Sequence, residues 1–152
     1  MCSSFLSADI FSSIIRYTPL ISIDLIVKDN RGSILLGERL NRPAKGFWFV
    51  PGGRIRKDER FEQAFDRLVK EELGLEFPFE KAQFIGPFEH HYTDNVFGES
   101  FSTHYVALGF EINIEERPNQ IPCVQHNNYK WFSRNEILNN EIVHQYTKWY
   151  FQ

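Results

Sequence analysis

The stretch Gly52-Gly-Arg-Ile-Arg-Lys-Asp-Glu-Arg-Phe-Glu-Gln-Ala-Phe-Asp-Arg-Leu-Val-Lys-Glu-Glu-Leu-Gly-Leu75 decides the fold. It leaves the aromatic run FWFV (47–50), passes Pro51 and a glycine pair, and turns into a helical pattern. From about Arg60 to Leu73, Phe61, Ala64, Phe65 and Leu68 form one apolar stripe, and Gly74 stands where a C-terminal cap belongs. At about 100° per residue, Glu72 points within about 20° of Phe61, into that stripe. A carboxylate buried there is costly unless it is paired or binds a cation. Arg67 and Glu71, four residues apart, lie together on the flank. The competing reading places Glu72 at a frayed helix end and makes Arg67 and Glu71 a surface ion pair.

Outward from this helix the chain reads as short alternating elements. Ala8 to Tyr17 sets Ile10, Phe11, Ile14 and Ile15 on one helical face and ends before Pro19. LISIDLIVKDNRGSILLGE (20–38) predicts a hairpin turning at Asp29-Asn30-Arg31-Gly32. QFIGPFEHHY (83–92), FSTHYVALGFEINI (101–114) and YKWFS (129–133) predict strands separated by the loops TDNVFGES and EERPNQIPCVQHNN. A closing helix is expected from Arg134 to about Phe151. One central helix among many strands, with helices at the chain ends, defines an α+β domain with a mixed sheet.

At 152 residues the chain is expected to be one domain, and its 42% hydrophobic content suffices for a core without disulfides or a structural metal. Lys and Arg number 17 against 20 Asp and Glu, so no basic excess marks a duplex nucleic-acid binder and an anionic ligand must meet a local cluster of cations. Two cysteines give no disulfide framework. MCSSFLSADIF lacks the basic start of a secretory signal, and the longest apolar runs are too short to span a bilayer. A soluble protein of the cytoplasm, bound to neither membrane nor nucleic acid, is the expectation.

Residues 53–75 resemble the Nudix box: glycine, five residues, Glu, seven residues, then Arg-Glu-apolar-x-Glu-Glu-x-Gly-apolar. Gly53, Glu59, Arg67, Val69, Glu71, Glu72, Gly74 and Leu75 fall on its positions, whereas Leu68 replaces the acid that follows the arginine. The resemblance implies a Nudix α/β/α sandwich with a central mixed β-sheet. It also implies hydrolysis of nucleoside diphosphates linked to another group, with Mg2+ or Mn2+. Hard divalent ions of this kind take oxygen ligands. Losing the acid at Leu68 reduces the ligand supply and points to one main metal.

The flanking stretches LLGERLNRPAKGFWFVPGGRIRKDE (35–59), FEHHYTDN (88–95), FSTHYVALGF (101–110) and VQHNNYKWF (124–132) resemble the GDP-mannose mannosyl hydrolases within that superfamily. The likeness begins with TPLISIDLIV (18–27) and takes in Phe5, Leu6 and Phe11. It implies attack of water on the anomeric carbon with inversion, GDP leaving intact, and GDP-glucose or GDP-fucose as lesser substrates. Position by position, it implies metal ligation by the carbonyl of Gly52 and the side chains of Glu72 and Gln125, with His126 as general base. Arg39 and Arg54 fall on arginines that contact the diphosphate, Tyr105 on a hydroxyl near the leaving group, and Asp24 on a further active-site position. Phe5, Leu6 and Phe11 fall on the guanosine-contacting N-terminal segment, residues 1–18, and His90 on a histidine near the site. A homodimer is implied as well. Two other functions compete: a Nudix pyrophosphatase cleaving at phosphorus to a nucleoside monophosphate and a sugar phosphate, and a nucleotide-sugar sensor without turnover.

Overall fold

The computed structural model describes residues 6–122 and 126–152, with side chains over 6–122 and 128–152. Its frame is a mixed seven-stranded sheet. Strand β1 (Leu20–Lys28) is the central one because its alternating residues are apolar on both faces. It pairs in parallel with β6 (Thr103–Asn113) and antiparallel with β2 (Ile34–Arg39) and β4 (Gly52–Arg54). Strand β2 continues to β3 (Trp48–Phe49) and β7 (His126–Phe132), and β6 to β5 (Gln83–Tyr92). The expected hairpin is present: the Asp29 carboxylate accepts from the backbone N–H groups of Arg31 and Ser33 and closes the turn.

Two apolar layers flank the sheet, as the sandwich requires. On one face Ile23, Leu25, Val27 and Ile112 pack under helix α2 (Phe61–Leu68) through Ala64, Phe65 and Leu68. Phe65 is fully enclosed, with Phe79 and Phe110 edge-on to its ring, a burial worth about 1.5–3 kcal/mol. On the other face Ile26, Ile34 and Leu36 meet α3 (Arg134–Asn139) and the C-terminal segment through Ile137, Val143 and Phe151. Helix α1 (Ala8–Tyr17) forms as expected, capped by the Ser7 side chain.

Four boundaries differ from the sequence reading. The α-helix of α2 stops at Leu68, and Val69–Leu73 form a π-helical turn closed by Gly74 in the left-handed region (φ +67°). Phe61, placed on the buried stripe, is 57% exposed, so the stripe consists of Ala64, Phe65 and Leu68. The closing helix is broken: α3 ends at Asn139, and a second short helix, α4 (Gln145–Lys148), starts from a His144 cap and runs into a 3-10 turn at Trp149–Phe151. Strand β7 begins at His126, inside the expected loop, and β4 extends the glycine turn as a paired strand.

Candidate active site

The site lies where strand side chains turned away from the α2 layer meet the C-terminal end of α2. Side chains alternate along a strand, so Ser22 and Asp24 of β1, Tyr105 of β6, and His90 and Tyr92 of β5 point to one side together. They line a cleft of about 260 Å³ with Phe11 and Ile15 of α1, Arg39 at the end of β2, and Gly52, Gly53 and Arg54 of β4. Leu68 and Glu71 close its other wall. The same alternation turns His91 and His104 outward, where they stack on each other 4.2 Å apart.

Of the residues singled out from sequence, Phe11, Asp24, Arg39, Gly52, Arg54, His90 and Tyr105 all line this cleft. Leu6 is half-buried and does not line it. Phe5, Gln125 and the side chain of His126 lie outside the described residues. The backbone of His126 is registered opposite Arg39, at the cleft's edge.

Glu72 is 1% exposed, so the frayed-end reading is excluded and the carboxylate lies inside the molecule. Glu72 belongs to the π-helical turn, and within it Glu72 is buried while Glu71 stays on the flank. Glu71 instead accepts from Arg67 Nη1 at 3.3 Å. Arg67 is the hub of this wall: its Nε and Nη2 bond both Glu59 carboxylate oxygens at 2.7 and 2.8 Å, and Nη2 also donates to the Arg54 carbonyl. The side-on guanidinium–carboxylate pair fixes the turn 54–60 against α2 and with it the base of Arg54. Arg54's own guanidinium stacks 4.8 Å above the Phe11 ring, tying α1 to the cleft.

Electrostatics sort the titratable groups. Burial pushes Asp24 up to about 6, against the lowering by a hydrogen bond from Tyr150 and by the charge of Arg39. Burial also raises Tyr105, which stays a protonated donor at neutral pH despite Arg39 and Arg54. His90 is pushed down to about 4, first by burial and then by His144 and His91. It is neutral at physiological pH, 5% exposed, and its Nε2 has no hydrogen-bond partner among the described residues. A ligand hydroxyl or oxygen in the cleft would satisfy it.

The donors near the cleft suit a hard cation. Those that line it are oxygens: the backbone of Gly52 and the carboxylates of Glu71 and Asp24, with Glu72 buried one residue beyond Glu71. Among the described residues no group of three His, Cys, Asp or Glu side chains converges to hold a metal. Gly52 is held against β1 so closely that an added Cβ would stand 2.2 Å from the Ile23 carbonyl, so only glycine presents its backbone to the cleft here.

Sequence reasoning overlooked several residues that line the cleft or support its lining. Tyr92 lies two positions beyond His90 on the same strand face, and that period of two was the available signal. Arg42, which bridges Asp94 and Glu99 at 3.3 and 3.2 Å across two loops, carried none. Nor did Tyr146, whose ring stacks on His90 at 4.4 Å while its hydroxyl bonds the His91 backbone.

A mixed sheet between helical layers, with a glycine turn and a Glu/Arg-rich helix walling a cationic cleft, defines a Nudix hydrolase. The sequence model of the NUDIX domain matches residues 18–152, and the chain belongs to that family. It is 40% identical over 125 residues to the low-salt glycan biosynthesis protein Agl8 of Haloferax volcanii, covering 82% of this chain and 77% of that one. A 58-residue segment is 45% identical to the ADP-ribose pyrophosphatase of Methanocaldococcus jannaschii, covering 38% of this chain and 33% of that relative's length. The MutT protein of Methanosarcina mazei Go1 has the same fold, with a TM-score of 0.70 at 22% identity over 89% of this chain and 92% of that one. Helix α1 lies just before the family match, yet its Phe11 and Ile15 line the cleft. Among the described residues no helix is long and apolar enough to cross a membrane.

Proposed function

We propose that this chain hydrolyses GDP-mannose, with GDP-glucose as a lesser substrate, to GDP and the free sugar by attack of water on the anomeric carbon with inversion. The observation that carries the reading is the makeup of the cleft. Leu68 replaces a carboxylate in its wall, while Arg39, Arg54 and the protonated Tyr105 gather on one side of it. Three donors of this kind suit the charge that builds on a departing diphosphate, each worth about 3–4 kcal/mol by the usual cost of removing one. The shortage of carboxylates beside them favours one main metal over a cluster.

The carbonyl of Gly52 with Glu72 and Gln125 would hold Mg2+, or Mn2+ in its place. When bound, that ion steadies the diphosphate and the charge it acquires on leaving. His126 takes the proton of the attacking water, a task suited to an imidazole with an ordinary pKa of about 6.5. The new bond joins the water oxygen to the anomeric carbon, the bond from that carbon to the phosphate oxygen breaks, and GDP departs with both phosphates intact. Asp24 and the neutral His90 orient the sugar, and Phe11, with Phe5 before it, packs on the guanosine. The Haloferax relative is named for glycan biosynthesis, which supports a sugar-bearing substrate. We place the protein in the cytoplasm as a homodimer.

A second reading is cleavage at phosphorus, favoured by Glu71, a further acid on the cleft wall, and by the segment shared with the ADP-ribose pyrophosphatase. A panel of nucleotide sugars with product identification separates the two. GDP plus free mannose is expected. GMP plus mannose phosphate would establish the second reading, and binding without products a sensor.

A further inference from the structure

Asp24 sits in the sheet between two glycines. On the β4 side it is registered with Gly52, and on the β6 side with Gly109. A Cβ at Gly109 would lie 2.7 Å from Cε1 of Tyr150, so the space that any other side chain would fill on the cleft face is taken by the Tyr150 ring. The ring comes from the C-terminal 3-10 turn, packs edge-on to Phe88 at 4.6 Å, and donates its hydroxyl proton to Asp24 Oδ2 at 2.6 Å. The next residue's carbonyl, that of Phe151, accepts from Arg134 Nη2 and ties the turn to the start of α3.

From this geometry we infer that Tyr150 is a positioning residue, reaching through the notch left by Gly109 to hold the Asp24 carboxylate in its working orientation. One oxygen, Oδ2, is committed to the tyrosine, and the other is left for the ligand. A carboxylate on a strand otherwise rotates about its χ angles. A donated hydrogen bond to a charged group, made by a ring clamped between a strand and a helical turn, selects one rotamer. Nothing in the sequence near Asp24 announces this, since the partner lies 126 residues away. The inference rests on the reading that Asp24 faces the substrate.

A kinetic double-variant cycle tests it, on whichever nucleotide sugar or nucleoside diphosphate derivative the wild-type protein turns over fastest. A wrong substrate assignment then changes the panel and leaves the cycle intact. Tyr150→Phe keeps the ring against Phe88 and removes only the hydroxyl. It should lower kcat/KM about ten- to a hundredfold. Asp24→Asn should lower it at least as far, and the double variant no further than Asp24→Asn alone. Gly109→Ala, which displaces the ring, should repeat the Tyr150→Phe loss and likewise vanish in the Asp24→Asn background. Wild-type kcat/KM in folded Tyr150→Phe would reduce Tyr150 to packing and overturn the inference. Losses that multiply in the double variant, or an Asp24→Asn protein of full activity, would overturn it as well.

Discussion

Two adjacent glutamates in the box have opposite environments. Glu72 is buried, whereas Glu71 lies on the cleft wall within reach of Arg67. A buried carboxylate is suited to grip a cation with little loss of freedom, while one committed to a guanidinium already has its charge balanced. Glu72→Gln should therefore weaken magnesium binding by about 100-fold or more. Glu71→Gln should change it by no more than about fivefold, the size of a partly exposed ion pair. Calorimetric or fluorescence titration with Mg2+ reads both, and equal losses would place a second ligand or a second metal at Glu71.

The helix α2 and the turn before it are held by a network that is itself sensitive to pH. The Arg67 hydrogen bonds, opposed by burial, hold Glu59 below the usual carboxylate range. A group with a lowered folded pKa adds stability above its unfolded pKa, and that stability is lost as pH falls through the folded value. Glu59→Gln should cost about 1.5–3 kcal/mol at pH 7. The gap to wild type should close as the pH falls below the ordinary carboxylate range. Thermal unfolding of both proteins across that range measures it, and a gap unchanged in acid would contradict the network. This helix was legible because Ala64, Phe65 and Leu68 repeat at helical spacing and Gly74 caps them. Its π-helical end was not, because hydrogen bonds from i to i+5 leave no mark on the apolar pattern. The break of the closing helix at Asn140 and the early start of β7 were hidden for a related reason. Both depend on partners elsewhere, the Trp48 backbone facing residues 142–144 and Arg39 facing His126.

Across the whole molecule, the sheet collects from strands far apart in sequence a cleft whose cations outnumber its acids. Seven of the residues singled out beforehand meet there, because a period-two strand fixes the face of each and the box fixes the register of the helix wall. The supporting rings of Tyr146 and Tyr150 stayed illegible, since their meaning arises only when the C-terminal turn folds over β5 and β6. The central claim is that water attacks carbon and that the whole GDP leaves, with Arg39, Arg54 and Tyr105 receiving its charge. Turnover of GDP-mannose in heavy-oxygen water, followed by mass spectrometry of both products, tests it most directly. The account predicts the label in the sugar and none in GDP; label in a phosphate group would show attack on phosphorus and contradict it.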